Sequence, residues 1–297
     1  LKYFVLIREW LKESQNDVPE YLDEIIYYLG QSYSILSQGI EKNFLFNGNH
    51  EAKNNDFDNY LNSHGYKFKN NSFETGGYVV LKNKKITLAM DIGSSPEKKF
   101  SHDYQCGALS FEIISNNNKL ICNSGYFQKI KHKLNGISKS TANHSTLIID
   151  NHSSCKINST KSEIDSVLKI LKKNIVMEKN YWNISASHDG YSKRYGIIHE
   201  RKIEFFPENK KFIGQDKLFK KKNFKSSNFE IRFHLEPNVK IMKTQDGKSI
   251  LIEIENEGWK FTSEGNTIDV ETGLYFGKKN SYTENQNLFI SGVTRND

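Results

Sequence analysis

The sequence predicts an α+β protein in which helices come first and a large antiparallel β-sandwich follows. Three observations carry this. Apolar residues recur at three- and four-residue steps through the first sixty positions. From about Tyr66 the recurrence shortens to two. The strands then succeed one another through polar turns, without the helices that parallel crossovers require.

Residues 1–13 place Phe4, Val5, Ile7, Trp10 and Leu11 at mixed helical spacing. Pro19 opens a second helix at its favoured first-turn position, and Tyr21, Ile25, Tyr28, Leu29, Tyr33 and Leu36 follow at helical steps. Both helices are apolar over a wide arc. Two helices alone cannot bury such faces, so they need the β-region or further helices beside them. Residues 57–61 add a short helical turn. Segments 78–81 and 86–90 flank Lys82-Asn83-Lys84-Lys85 and read as a hairpin. Segments 111–114 and 120–123 repeat that arrangement around Ser115-Asn116-Asn117-Asn118. Further strands fall at 145–149, 165–171, 175–178, 181–187, 195–206, 229–235, 241–244, 250–254, 258–263 and 267–276, with a strong turn at Gln245-Asp246-Gly247. The basic stretch 217–225, with Lys220-Lys221-Lys222, reads as a solvated loop. The expected division is 1–65 helical and 66–297 sandwich.

With 297 residues the chain is long enough for a substantial core. Its net charge of +7 suits an acidic polymer, although Lys, Asn and Ile are abundant throughout and the basic residues are mostly scattered. No recognised nucleic-acid module is present, so nucleic acid is not an expected partner. No apolar run approaches the ~20 residues of a membrane span. The chain begins at Leu1 and shows no basic segment followed by an apolar core, so the expectation is a chain whose front is missing. The cysteines are Cys106, Cys122 and Cys155, without metal-site spacing. Cys106 and Cys122 fall on strands expected to pair, which allows a disulfide, while their apolar context favours free thiols.

The chemistry-bearing motifs lie in the β-region. Residues 105–113 read Gln-Cys-Gly-Ala-Leu-Ser-Phe-Glu-Ile, and 120–126 read Leu-Ile-Cys-Asn-Ser-Gly-Tyr. Residues 140–149 read Ser-Thr-Ala-Asn-His-Ser-Thr-Leu-Ile-Ile. Later come His188-Asp189-Gly190-Tyr191, His199-Glu200-Arg201, the run 229–237 from Phe229 to Pro237, and Gly258-Trp259-Lys260-Phe261. Together they resemble the β-domain of the heparinase II/III-like polysaccharide lyases, whose strands read roughly H-x-D-x-L-S-F-E, D-x-G-x-Y and A-H-N-T-L. The resemblance covers nearly the whole chain. It implies that the opening helices are a short remnant, the end of an (α/α) toroid, with Phe46-Asn47-Gly48 in the closing loop. It also implies β-elimination on an acidic, uronate-containing polysaccharide and a periplasmic or cell-envelope location. The alternative is a non-catalytic carbohydrate-binding or scaffolding β-domain derived from such a lyase.

Elimination needs a base, an acid and a group that neutralises the carboxylate beside the reacting carbon. The resemblance assigns His102, His144 and Tyr126 to catalysis, and Gln105, Asn123, His199 and Arg201 to substrate binding. The family's β-domain base falls at about Asp103, one position from His102. Its three zinc ligands fall on Gln105, Asn123 and His144. Amides are poor zinc ligands, so neither a metal nor another cofactor is expected. His199 and Arg201 are two apart and share a strand face, either as an anionic subsite or as a polar network pinning strands. His144, Gln105, Asn123 and Tyr126 are expected to converge on one concave face, with His144 titrating near about 6.5. His132 is expected to be solvent-exposed.

Overall fold

A computed structural model describes residues 1–37, 40–52, 55–69, 72–158, 160–221 and 226–294. Helices α1 (Lys2–Glu13) and α2 (Glu20–Leu36) pack together with α3 (Asn55–Ser63). Val5, Leu22, Ile26 and Leu61 form their shared core, with Phe57, Tyr66 and Phe68 around it. The Phe68 ring lies so close to Gly30 that a Cβ there would sit 2.0 Å from its Cδ1, so this crossing requires glycine. The opposite side leaves Tyr3, Trp10, Tyr21 and Tyr28 exposed. A linker then crosses to the sandwich, where Ile40, Phe44 and Phe46 pack on Val80, Ala89 and Ile114.

The strands follow in chain order. They are β1 (Glu74–Thr75), β2 (Tyr78–Lys82), β3 (Ile86–Asp91), β4 (Phe111–Ser115) and β5 (Asn118–Ile121). Helix α4 (Lys133–Lys139) precedes β6 (Leu147–Ile149), β7 (Ile170–Met177) and β8 (Trp182–His188). The turn α5 (Ser192–Tyr195) leads into β9 (Ile197–Phe206), β10 (Lys211–Lys220), β11 (Asn228–His234) and β12 (Lys240–Lys243). The chain closes with β13 (Ser249–Ile254), β14 (Glu257–Thr262), β15 (Ile268–Tyr275) and β16 (Thr283–Val293). They form four sheets, ordered β1-β2-β3-β4-β5, β10-β9-β8-β7, β15-β16-β11-β6 and β12-β13-β14. Every pairing between named strands is antiparallel.

One core draws on all four sheets. Leu81, Leu88, Trp182, Ile203, Ile252 and Leu288 all belong to it and are essentially inaccessible. Burying each such aliphatic side chain contributes about 1.5–3 kcal/mol, which holds the sheets face to face. Strand β9 shows how the sequence places polar groups there. Its burial alternates along all ten residues, so His199 and Arg201 point inward with Ile203 and Phe205.

Several local expectations are corrected. Segments 165–171 and 175–178 give way to the one strand β7, because Lys172, Lys173 and Asn174 are exposed rather than a turn. Tyr195 ends the α5 turn, and Gly196 at φ 67° starts the new direction. Strand β16 escapes the alternation rule because Asn285 and Asn287 point inward. Strand β10 was hidden by its lysines, which an edge strand tolerates. Lys217 and Lys220 of the expected loop lie in β10, and positions 222–225 lie outside the described residues. Helix α4 is an element that the sequence reading did not include; His132 is exposed as expected and caps it, its Nδ1 accepting from Leu134 N at 3.2 Å. The disulfide joins Cys106 to Cys155, with Cα atoms 5.5 Å apart, and Cys122 is the buried free thiol. Cys106 precedes β4 instead of lying on it, while Cys122 bridges to His234 across the sandwich.

Candidate functional site

The linker from the helices meets the loop before β4, and the predicted site residues lie around this junction. The Asn47 side chain accepts from Gln105 N at 2.8 Å, and Gly48 N donates to Gln105 Oε1 at 3.1 Å. Gly48 has φ 84°, and a Cβ there would lie 2.9 Å from Asp103 Cβ, so glycine is needed for the approach. Gln105 Nε2 donates onward to Gly125 O and Ser138 O at 2.9 and 2.6 Å. Its amide is thus fully used in joining linker, β-domain loop and α4.

Asn123 does similar work one layer deeper. Its Oδ1 accepts from Ser145 N at 2.9 Å, and its Nδ2 donates to Glu112 Oε1 at 3.2 Å. Glu112 also accepts from Leu45 N at 2.8 Å and pairs with Lys119 at 2.9 Å, both side chains being fully buried. Lys119 completes the circuit by donating to Asn43 O at 2.6 Å. An unpaired buried charge is costly, so this closed network fixes the linker to the sheet. Sequence reasoning missed the pair, and the one available signal was a glutamate inside the apolar run from Phe111 to Ile114.

His144 is held by a bond between Nδ1 and Ser140 O at 2.8 Å. A carbonyl only accepts, so Nδ1 carries the proton and Nε2 is unprotonated. Nε2 is buried and has no hydrogen-bond partner among the described residues. Gly107 lies against the ring, where a Cβ would be 2.6 Å from Cδ2. Burial pushes the His144 pKa down to about 4, which corrects the expected ordinary titration. Its neighbour His234 bonds Ser124 Oγ and Ala142 O at 2.9 and 3.0 Å, and burial pushes it down to about 3.

His199 and Arg201 form a second closed network. Arg201 grips Asp216 with two bonds, Nε to Oδ1 at 2.8 Å and Nη2 to Oδ2 at 3.0 Å. Nη1 donates to Leu109 O and Ser145 O at 3.1 and 2.6 Å. Gly190 N donates to His188 Nδ1, so His188 Nε2–H donates to His199 Nδ1 at 3.1 Å. His199 Nε2–H then donates to Asp216 Oδ1 at 2.6 Å. Asp216 remains charged, its carboxyl held well below the usual range by Arg201 and His199 against the opposing effect of burial. The anion these residues bind is the chain's own, the polar-network alternative of the two.

Gln105, Asn123, His144, His199 and Arg201 are each at most 1 % exposed, which corrects the expected open concave face. The pleat and the linker turn them inward, where their partners already are. His102 and Tyr126 stand apart from this group. His102 is exposed, its Nδ1 3.0 Å from Asp103 Oδ1. Tyr126 is buried, and its hydroxyl accepts from Asn135 Nδ2 at 3.3 Å. Lys139 ties the two together. Its ammonium bonds His102 O and Ser162 O and lies 5.6 Å from the centre of the Tyr126 ring. Burial lowers the Lys139 pKa to about 8, partly offset by Asp103.

Beside this cluster is a cleft of about 320 Å³ lined by α4 and by both cysteines of the disulfide. A wider cleft of about 1300 Å³ runs between β10 and β14, with Phe212, Trp259 and Phe261 among its lining residues.

A family model described as heparinase II/III-like, C-terminal, matches residues 67–297. The chain belongs to the heparinase II/III-like family. The solved structures agree on the fold. The heparan sulfate lyase HepC from Pedobacter heparinus is 13 % identical, with TM-score 0.76 over 99 % of this chain and 48 % of that one. A heparinase III with methylated lysines is 16 % identical, with TM-score 0.72 over 94 % and 45 %. A further heparinase III structure gives 16 %, TM-score 0.69, and 94 % and 48 %. The chain therefore spans about half the length of these relatives. Among curated proteins, no sequence matches the chain.

The heparinase II/III-like family implies a zinc site at Gln105, Asn123 and His144, and these residues do not fit it. Both amides are consumed by internal hydrogen bonds, and His144 Nε2 alone presents a lone pair. One imidazole does not make a tetrahedral zinc site. Among the described residues, no three His, Cys, Asp or Glu side chains cluster to replace it.

Proposed function

We propose that this chain is the C-terminal part of a lyase that cleaves a uronate-containing polysaccharide by β-elimination. In this reading residues 1–65 are the end of an (α/α) toroid, and the exposed face bearing Tyr3, Trp10, Tyr21 and Tyr28 packs on the rest of it. The observation that carries the reading is that the main-chain carbonyl of His102 and the ring of Tyr126 meet at Lys139 beside a cleft. His102, paired with Asp103, is the exposed proton carrier. Tyr126 is the second, with Asn135 at its hydroxyl. Gln105, Asn123, His144, His199 and Arg201 position these groups from within. No zinc and no other cofactor takes part in this proposal, and the partner is the polysaccharide rather than nucleic acid. The Cys106–Cys155 disulfide supports an oxidising compartment, in line with the periplasm or cell envelope. No helix among the described residues is long and apolar enough to cross a membrane.

The burial of six predicted site residues, Tyr126 among them, favours a second reading, a non-catalytic carbohydrate-binding domain. Absorbance of the unsaturated product decides between them, using heparan sulfate, alginate and other uronate polymers. The protein that contains this chain should form product, and this chain alone should not. Polymer binding without product from that longer protein would establish the second reading.

A further inference from the structure

The cleft beside α4 is lined by cationic side chains. Lys131, His132, Lys133 and Lys139 line it, and among the described residues no Asp or Glu does. Elsewhere most buried cations have a carboxylate, as Arg201 has Asp216 and Lys119 has Glu112. Lys139 is only 2 % exposed, and its bonds go to the carbonyl oxygens of His102 and Ser162. Carbonyl dipoles solvate an ammonium without neutralising it, so a buried cation of this kind gains from an entering anion. Asp103 acts on Lys139 through charge without a direct bond between them and is not part of the described lining.

The walls are fixed independently of any ligand. Lys133, Gly136 and Lys139 come from α4, and the Cys106–Cys155 disulfide stands among the other lining residues. The volume of about 320 Å³ is at the small end of ligand sites, enough for one charged sugar ring and not for a stretch of polymer. Among the described residues no Phe, Tyr or Trp lines it to give the stacking platform that single-stranded nucleic acid uses.

We propose that this cleft is an anion subsite that takes a sulfate or carboxylate group of an acidic saccharide. The saccharide part rests on the lyase reading above, because Lys139 links the cleft to His102 and Tyr126. The anion part stands on the cleft alone.

Calorimetric titration of the chain at low salt tests it. The probes are a sulfated uronate tetrasaccharide, its desulfated counterpart, a neutral hexose tetrasaccharide and a single-stranded oligonucleotide. Both acidic sugars should bind and the neutral one should not. The variant Lys131→Ala/Lys133→Ala, which alters only exposed side chains, should bind the acidic sugars at least about tenfold more weakly, as expected for loss of charge-assisted contacts. Lys139→Met should abolish binding, with a thermal melt to confirm that it folds. Affinity within twofold in the exposed double variant would overturn the proposal, as would equal binding of the neutral sugar or the oligonucleotide. Charge-dependent binding without product from the longer protein keeps the subsite and removes the lyase reading. Affinity and turnover both unaffected by the double variant remove the subsite and keep the lyase.

Discussion

Arg201 and Lys139 are both buried cations, 1 % and 2 % exposed, yet they are used in opposite ways. Arg201 meets a carboxylate in the forked geometry that suits guanidinium, and its remaining bonds go to two backbone carbonyls. His199 and His188 extend that arrangement into a chain ending on the backbone of Gly190. Nothing in it is left for a ligand. Lys139 has carbonyl partners, an adjoining cleft and two exposed lysines on the same lining. The first region therefore serves the fold, and the second retains binding capacity. Polar type and spacing alone do not separate the two; the separation comes from whether a counter-charge is already present.

The largest expected effect breaks the first region. Arg201→Ala leaves Asp216 buried without its main partner and should cost about 3–5 kcal/mol in urea unfolding. Arg201→Met combined with Asp216→Leu should recover much of that, because an apolar pair of similar volume needs no counter-charge. A loss below about 1 kcal/mol in the single variant would show that the network is not a stability element.

Much of this was legible in the sequence, and the reason lies in the pleat. The alternation of β9 follows from period-two patterning, whereas β2, β3 and the L-S-F-E strand, buried almost throughout, are legible as short apolar runs bounded by polar turns. Strands β10 and β16 were not legible. In one, exposure on a sheet edge removes the apolar signal; in the other, inward asparagines invert it. The candidate site was legible as a set of positions and not as a set of roles. Residues two apart on a strand share a face, but the sequence does not say that Asp216 comes from the next strand to meet them. The Cys106–Cys155 bond and Lys139 were hidden for the same reason, since both depend on loops folding back across the β-region.

A smaller effect concerns acid. Burial holds His144 near 4 and His234 near 3, and it lowers His188 and His199 as well. Each folded value lies below the unfolded one, so the unfolded chain takes up protons first as pH falls. The stability these rings contribute is complete above about 6.5 and drains away toward 4. For His144 alone the loss is roughly 3 kcal/mol by the bottom of that window. Asp91 works against this, since burial pushes its carboxyl up to about 7 and protonation then favours the fold. The lowered imidazoles, with His50 a fifth, outweigh the raised carboxyls Asp91 and Asp58, so urea midpoints should drop steadily between pH 7 and pH 4. A flat or rising profile would mean that these rings are solvated in the folded chain.

The smallest effect on stability sharpens the second region. His102 is exposed, and among the described residues its side chain bonds only its sequence neighbour Asp103. His102→Ala should therefore change the unfolding free energy by no more than about 0.5 kcal/mol. If His102 moves the proton, the same variant in the longer protein should slow product formation by about 10²–10⁴-fold, the usual worth of a general base. Tyr126→Phe offers the complementary case. It removes one hydroxyl that accepts a bond from Asn135, at a cost of about 1 kcal/mol, and should also slow the reaction. The informative quantity is the ratio of lost rate to lost stability. A general base gives a large ratio at His102, whereas a structural histidine gives none. Rates that fall only as far as the melting curves do would return both residues to the frame that Arg201 already belongs to.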